Sequence, residues 1–399
     1  MGESTKGRLL RTCALVASVA LVSSSPGVAQ THQSVAVLRV LVPTVSDGPF
    51  WFHNQLIQKG AAVAVREIAA GKGIDGRVRI KLVRVPAGAG AGARRAIARA
   101  KAHGGLQAVL LPCNTDSQLP WARAASRARL LALAPCDPDP RASAGLRMYW
   151  PVGMSGNAEA AQLVGYAARN YASTAFLVDA KQPRYARVMS RYLRAAAGLY
   201  KVRLVGSATL AATGSNSQAV AKRIAKLQPR AVLTSLSSPE VWTFIRTLRK
   251  HGYVRPVYGT DGMDANIAHD NRTAEAQDRS VYKYVYFASF GFARPTGSRF
   301  RADYKDTYKD LPLGSYPGLG FETIQVLRAA VAKARSVEPS RLDRALASGL
   351  RLTGITLEDI VYPGHGQHRP LAHVGLVTIV RGVYFPMLSS VPTAPIPRV

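Results

Sequence analysis

The sequence predicts an α/β protein built of two doubly wound parallel-sheet lobes. Short, largely apolar runs closed by proline alternate along the chain with segments whose apolar residues recur at helical spacing. That alternation is typical of strands buried on both faces by helices. With 399 residues, of which 47% are hydrophobic and 19% charged, the chain can bury at least two cores of ordinary size. Two lobes are therefore expected.

The beginning of the chain predicts a cleaved secretory signal. Lys6, Arg8 and Arg11 precede an apolar run over residues 13–22, and small residues end at Ala29. The apolar run is too short for a spanning helix. We expect cleavage after Ala29, so that residues 1–29 are removed and the mature chain is periplasmic or secreted.

Strands and helices alternate along the mature chain. Strands are predicted where a short apolar run ends at a turn residue, and helices where apolar residues recur every three or four positions and stop at glycine or asparagine. The predicted strands cover residues 35–42, 77–85, 106–112, 130–135, 174–178, 202–205, 231–236 and 257–259. The predicted helices cover residues 53–70, 94–103, 155–170, 184–199, 217–227 and 239–251.

Composition and motifs argue against several classes of function. The formal charge of +30 predicts attraction to anionic surfaces, but the basic residues are scattered and no nucleic-acid-binding signature is present. The glycine-rich residues 88–93 follow the second strand without the later acid that a dinucleotide site needs. A surface loop is favoured over a zinc site for His365, His368 and His373. We expect no nucleic-acid partner, no cofactor, no metal and no enzymatic activity.

Two neighbouring apolar runs each end in Pro-Cys, and these ends organise the expected site. If the strands are adjacent and parallel, the Cα atoms of Cys113 and Cys136 lie about 5 to 6 Å apart, within disulfide range. A disulfide is the default in an exported protein, and two buried free thiols are the alternative. The loops beyond these strands open onto a crevice where helix N-termini offer N–H groups. The candidate ligand-binding residues there are Asn114, Thr115, Asp116, Ser117, Cys136 and Asp137.

Residues 64–76, AVREIAAGKGIDG, closely resemble the first helix and turn of type I periplasmic binding proteins. The most similar branch is the leucine/isoleucine/valine-binding group that serves ATP-binding cassette importers. The resemblance continues along the chain. Residues 149–152, 284–289 and 354–382 match the family's three crossovers. Residues 259–262 match its strand-end Gly-x-Asp-Gly, and residues 320–323 with 324–333 match its late helix. The resemblance implies a first lobe of residues 30–152 plus 288–354, a second lobe of 153–287 plus 355–390, and a tail of 391–399.

The resemblance also implies roles for single residues. Asp261 matches the acid that binds a ligand ammonium group, and Tyr185 matches an aromatic wall in the second lobe. Trp51, Phe52 and His53 match the first loop, which covers the ligand side chain. The hydroxyls of Thr115 and Ser117, with nearby N–H groups, suit a carboxylate. Ser237 completes the set from the second lobe.

Three departures from the family pattern bear on the ligand. Pro138 stands where the family usually has a hydroxyl residue, and the loop at Ser237 lacks the frequent aromatic residue. Asp116 and Asp137 add negative charge near the expected carboxylate position. These changes fit a ligand with an extra donor, with a cationic group, or without an α-carboxylate.

The predicted function is that of an exported solute-binding protein. It would capture a small polar ligand, an amino acid or a related compound, and deliver it as a monomer to the permease of an ATP-binding cassette importer. The alternative is a ligand-sensing subunit that signals to a membrane receptor without transport.

Overall fold

The computed structural model describes residues 35–46, 50–87, 91–170, 172–181, 183–264, 281–291, 297–312, 314–356, 359–371, 373–380, 383–392 and 396–398. The predicted signal peptide lies outside the described residues, as do residues 88–90 of the glycine-rich stretch and part of the predicted tail. In the described part of the chain, none of the helices has both the length and the apolar character that crossing a bilayer requires.

The first sheet has five strands, all parallel to their neighbours, in the order β2-β1-β3-β4-β5. The strands are β1 Ala36–Thr44, β2 Val78–Pro86, β3 Ala108–Leu110, β4 Leu131–Ala134 and β5 Tyr149–Pro151. The helices between them are α1 Trp51–Ala70, α2 Ala91–Ala102, α3 Thr115–Arg127 and α4 Pro140–Ser143. We call this sheet with the helices that pack on it the first lobe.

The second sheet has seven strands in the order β14-β13-β10-β9-β8-β6-β7. Its strands are β6 Thr174–Ala180, β7 Arg203–Leu210, β8 Ala231–Thr234, β9 Val257–Gly259, β10 Val285–Ser289, β13 Val374–Val380 and β14 Val383–Ser390. Its helices are α5 Gly156–Arg169, α6 Arg184–Leu199, α7 Ser217–Leu227 and α8 Glu240–Lys250. This is the second lobe. Strands β6 to β10 run parallel, whereas β13 and β14 add an antiparallel hairpin, so this sheet is mixed rather than wholly parallel.

The chain passes between the lobes three times: after β5, after β10 and before β13. Following the second passage, three helices and a hairpin return to the first lobe, and they contact α1 and β4. These elements are α9 Ser298–Tyr308, α10 Tyr316–Ala334, α11 Pro339–Ala347, β11 Leu350–Thr353 and β12 Asp359–Tyr362. The predicted fold class, two α/β lobes joined by three crossovers, is confirmed.

Helices cover both faces of each sheet. In the first lobe Val40 and Leu41, which are consecutive in β1, belong to separate apolar clusters, and in the second lobe Leu177 and Val178 do the same in β6. Successive side chains of a strand point to opposite faces, so each sheet is buried on both sides. This burial explains why the strands read as continuous apolar runs.

Several element boundaries differ from the prediction. The strand predicted over 202–205 continues to Leu210, and the late helix predicted over 324–333 begins at Tyr316, where Pro317 fits a first helical turn. Helices α9 and α11 were not predicted. The apolar stripe of α9 is narrow, since among its described residues this helix buries only Phe300 and Tyr304.

Helices α1 and α10 lie unusually close together. A Cβ atom added at Gly60 would be 1.7 Å from the carbonyl oxygen of Pro317, and one added at Gly320 would be 2.0 Å from that of Ile57. Only glycine permits this approach, since no side chain fits between the two backbones. The close packing brings the first turns of both helices together, which positions His53 beside Tyr316.

Candidate functional site

The ends of β3 and β4 lie side by side, as the sequence predicts. These strands are parallel neighbours, with Leu110 opposite Leu133. Just beyond them Cys113 and Cys136 form a disulfide with Cα atoms 5.3 Å apart. The disulfide joins the two loops that follow the strands, so the floor of the expected site is covalently closed.

The first loop reaches this floor through Asn54. Its Nδ2 donates to the carbonyl oxygen of Phe50 at 2.8 Å, and its Oδ1 accepts from the N–H of Cys113 at 2.7 Å. Phe50 has a φ of 67°, a left-handed conformation that is unfavourable for a bulky residue and is held only where the surroundings demand it. The surrounding contacts therefore hold the backbone of Phe50 in this conformation at the start of α1.

Asp261 accepts hydrogen bonds from both lobes. It follows β9 and is 5% exposed. Its Oδ1 accepts a hydrogen bond from the hydroxyl of Tyr185 in the second lobe, and its Oδ2 accepts one at 3.2 Å from the hydroxyl of Tyr316 in the first lobe. Burial raises the pKa of Asp261, and these hydrogen bonds oppose that rise. The carboxyl group is thus a contact point between the lobes.

Aromatic rings surround this carboxyl group. The ring of Phe50 lies 5.0 Å from that of His53 and 5.1 Å from that of Tyr185, and His53 lies 4.5 Å from Tyr316. These rings are buried and fill the cleft at this point, so the lobes are closed on each other. Asp261 is therefore shielded from solvent in this structure.

His53 is buried without hydrogen bonds. It is 4% exposed, and neither ring nitrogen has a partner among the described residues. Burial lowers its pKa to about 3, so the imidazole is neutral at physiological pH. A buried polar group without a partner costs stability, which is typical of functional sites.

Two further buried acids adjoin Asp261. Glu159, 2% exposed, accepts the backbone N–H of Asp261 at 2.7 Å. Burial, and after it the charge of Asp261, raise the pKa of Glu159 well above its usual range. Asp264 accepts from the hydroxyl of Ser289 at 2.9 Å and from that of Ser315, and burial raises its pKa to about 6. The site is therefore rich in acids.

The loop after β3 caps helix α3. Asn114 Oδ1 accepts the N–H of Asp116 at 2.9 Å, and the carbonyl oxygen of Asn114 accepts the N–H of Ser117 at 3.1 Å. Thr115 is buried, and its hydroxyl has no partner among the described residues. Asp116 is exposed at the first turn. The loop follows β3 next to the disulfide, and the N–H groups of Asp116 and Ser117 are used within the protein.

The loop after β4 is tied to the third crossover. Asp137 accepts from Arg369 Nε at 3.0 Å, from the Tyr149 hydroxyl at 3.1 Å and from the Ser143 hydroxyl at 3.0 Å. Cys136 offers its carbonyl oxygen to Gln118 at 2.5 Å. Burial raises the pKa of Asp137, and the charge of Arg369 opposes the rise. The Asp137 carboxylate is therefore bonded to Arg369 of the third crossover. The other predicted acid, Asp261, is bonded to the predicted aromatic residue Tyr185.

An ion cluster joins the lobes beside the cleft. Asp139, buried in the first lobe, lies 3.5 Å from Arg184 Nη2 and 3.6 Å from Arg191 Nη2 on α6 of the second lobe. The hydroxyl of Tyr192 also donates to Asp139, at 3.3 Å. Sequence patterns gave no sign of this contact, because its partners are some fifty residues apart.

The remaining predicted residues are less central. Trp51 is 41% exposed and forms a ring pair with Phe52 at 5.9 Å. Ser237 is buried, and both Ser237 and Tyr185 border Gly262. A Cβ atom added at Gly262 would lie 3.1 Å from the Ser237 Cβ and 3.2 Å from the Tyr185 ring. Phe50, Glu159, Tyr316, Asp139 and Asp264 were not predicted. Within the described residues, no three His, Cys, Asp or Glu side chains are grouped to hold a metal ion.

The family model for periplasmic binding proteins matches residues 38–377. The chain belongs to this family. Its members are binding proteins, and the two lobes and three crossovers seen here are the framework on which such a site is built. No curated protein matches the chain in sequence.

Solved structures share the fold over nearly the whole chain. The branched-chain amino acid substrate-binding protein LivJ of Streptococcus pneumoniae, in complex with isoleucine, superposes with a TM-score of 0.76 at 18% identity, covering 90% of this chain and 100% of that one. The leucine-binding protein LivK of Thermotoga maritima has a TM-score of 0.75 at 16% identity, with 90% and 99% covered. A solute-binding protein of R. palustris, in complex with benzoate, has a TM-score of 0.73 at 15% identity, with 91% and 97% covered.

Proposed function

We propose that this periplasmic binding protein is exported, captures a small polar ligand between its lobes and delivers it to the permease of an ATP-binding cassette importer. The observation that carries the proposal is that the Asp261 carboxyl group accepts hydrogen bonds from Tyr185 of one lobe and from Tyr316 of the other. A buried acid at a closable interface is a suitable anchor for a ligand cation.

Closure follows from the same contacts. The Tyr185 and Tyr316 hydroxyls meet on one carboxyl group only while the lobes are together, so opening the cleft exposes Asp261 and the surrounding rings. A ligand that touches both lobes binds the closed state better than the open one, and it shifts the balance by that difference in affinity. The permease would recognise the closed, loaded form.

The similar structures support a small-molecule ligand without fixing its identity. Those three proteins are described with isoleucine, as leucine-binding, or with benzoate, and these compounds differ in charge or in shape. The fold therefore serves several ligands, and the choice depends on the side chains in the cleft.

The ligand-binding set that we propose contains the predicted residues at the cleft together with those that the geometry adds. The predicted members are Trp51, Phe52, His53, Asn114, Thr115, Asp116, Ser117, Cys136, Asp137, Tyr185, Ser237 and Asp261, and the added ones are Phe50, Glu159 and Tyr316. We keep the lobe boundaries 30–152 plus 288–354 and 153–287 plus 355–390, except that β12 Asp359–Tyr362 pairs with β11 and so goes with the first lobe, and we keep signal cleavage after Ala29. Mass spectrometry of the exported protein should give a mature chain that begins at Gln30.

Native mass spectrometry of the purified protein tests the proposal. We expect one small molecule bound per chain, recovered chemically unchanged because the protein binds without turnover. Once that molecule is identified, Asp261→Ala should weaken its binding at least about tenfold in calorimetry, since a charge-assisted hydrogen bond is lost.

Asp306→Asn is the matched control, because it removes an exposed carboxylate from α9. Its affinity should equal that of the wild type. Undiminished binding by a folded Asp261→Ala protein would remove Asp261 from the site. Failure of the loaded protein to stimulate ATP hydrolysis by its reconstituted permease would favour the sensing alternative.

A further inference from the structure

Three buried acids lie on one side of the cleft, and burial raises the pKa of each of them. Glu159, Asp261 and Asp264 are all buried. The Glu159 carboxyl group accepts the N–H of Asp261, and the backbone N–H of Asp264 donates to the carbonyl oxygen of Asp261. Among the described residues no lysine or arginine forms an ion pair with any of the three. Burial holds these acids towards the protonated form, and a ligand cation beside them would restore the charged form and pair with it, so this cluster favours ligands with net positive charge.

The rings point to the same chemistry independently. The hydroxyls of Tyr185 and Tyr316 bond to Asp261, and the ring of Phe50 packs against that of Tyr185; aromatic faces attract ammonium and guanidinium groups. His53 is nine-tenths buried within this group, and its two nitrogens have no partner in the described part of the chain. One of them can accept a hydrogen bond from a ligand N–H, which suits a ligand with an amine or guanidine group.

The opposite side of the cleft has few donors left for a carboxylate. The N–H of Cys113 is bound to Asn54, and the N–H groups of Asp116 and Ser117 are bound within the α3 cap. Pro138 has no N–H at all. The unpartnered Thr115 hydroxyl and the half-buried Ser117 hydroxyl remain, and two neutral hydroxyls do not replace a cation beside a buried carboxylate.

We infer that the ligand is a cation without a carboxylate, namely a primary amine or guanidine carried on a compact apolar body. This inference rests on the proposed capture between the lobes. Asp261 binds the cationic group directly, and Glu159 is the second acid that sets the preference for net positive charge. The apolar body packs against the rings of Phe50 and Tyr185.

Three probes of one shape test the inference: 3-methylbutylamine, leucine and 4-methylpentanoate. The amine is leucine without its carboxylate, and the acid is leucine without its ammonium group. Calorimetry near neutral pH should show the amine binding at least about tenfold more tightly than leucine, and 4-methylpentanoate binding most weakly. Leucine binding as tightly as the amine, or no binding of the amine at millimolar concentration, would overturn the inference.

Substitutions locate the effect. Glu159→Gln should reduce the preference for the amine over leucine several-fold, because one acid is removed while the shape is kept. Asp306→Asn should leave the preference unchanged. A Glu159→Gln protein that keeps the full preference would remove Glu159 from this role. Leucine that binds tightly and closes the lobes would contradict the ligand class but keep the proposed function, whereas no co-purified molecule and no binding of any probe would contradict both.

Discussion

Removing the Asp139 carboxylate should open the lobes. Asp139 lies in the first lobe, and its ionic partners Arg184 and Arg191 lie in the second, at 3.5 and 3.6 Å. Asp139→Asn keeps the shape of the side chain and removes the charge, so it tests the contact between the lobes with little change in packing. The closed fraction of the ligand-free protein should fall.

The magnitude is modest because the arginines are partly in water. Their side chains are 42% and 57% exposed, and such solvent-screened pairs each contribute about 0.2–1 kcal/mol. Two pairs that share one acceptor therefore favour closure by about 1 kcal/mol, which corresponds to about a fivefold change in the ratio of open to closed protein. The apparent affinity for ligand should weaken by at most about the same factor.

The assay is a distance measurement between spin labels on cysteines introduced at Arg95 and Lys222. These are exposed positions on α2 of the first lobe and α7 of the second, and the native Cys113 and Cys136 are joined to each other. Added salt should move the wild type towards the variant, since screening weakens the ion pairs.

Arg187→Ala is the matched control. Arg187 is an exposed arginine on the same helix, but it bonds to the carbonyl oxygen of Lys181 within its own lobe. Its closed fraction should match that of the wild type, whereas Arg191→Ala, which removes one of the two ion pairs, should give a closed fraction between those of the wild type and Asp139→Asn. If Asp139→Asn and Arg187→Ala gave the same distance distribution at low salt, the ion cluster would have no part in closure.

Three predictions concern stability. Replacing Cys113 and Cys136 with serine should lower the free energy of unfolding by about 3 kcal/mol in urea titrations, from the loop of 23 residues that the disulfide closes; an unchanged midpoint would refute this. Burial raises the pKa of Asp264 to about 6, so the folded state holds this proton more tightly than the unfolded chain. This protonation stabilises the folded protein below about pH 4, and the stabilisation is lost by about pH 6. The free energy of unfolding should therefore fall by about 3 kcal/mol over this range in the wild type but not in Asp264→Asn. Identical pH profiles of unfolding free energy for the two proteins would contradict this prediction. Gly320→Ala should lower the melting temperature because its Cβ would meet the Ile57 carbonyl oxygen, whereas Gly198→Ala, whose Cβ would meet nothing, should not.

The sequence was most informative where a feature is local. The apolar runs that end at Pro112 and Pro135 identify two buried strands, and parallel pairing then places their loops together. Those steps need only side-chain period and the geometry of a parallel sheet. The hairpin of β13 and β14 was harder to foresee, because β14 contains Pro386 and alternates weakly.

The composition of the site depends on contacts between distant parts of the chain. Tyr316 is 55 residues from Asp261, and Glu159 is 102 residues away. The position of Asp137 beyond β4 predicts a place at the ligand site, and its carboxylate also bonds to Arg369, 232 residues later. Such partners are set by the packing of whole helices and crossovers, which no local pattern encodes.

The most direct test of capture between the lobes is the same spin-label distance, measured while the small molecule released from the purified protein is added back. We predict that the distribution narrows to one short distance at one molecule per chain, and that folded Asp261→Asn protein stays broad. A distribution that does not change with ligand, or that narrows equally without the Asp261 carboxylate, would contradict the account.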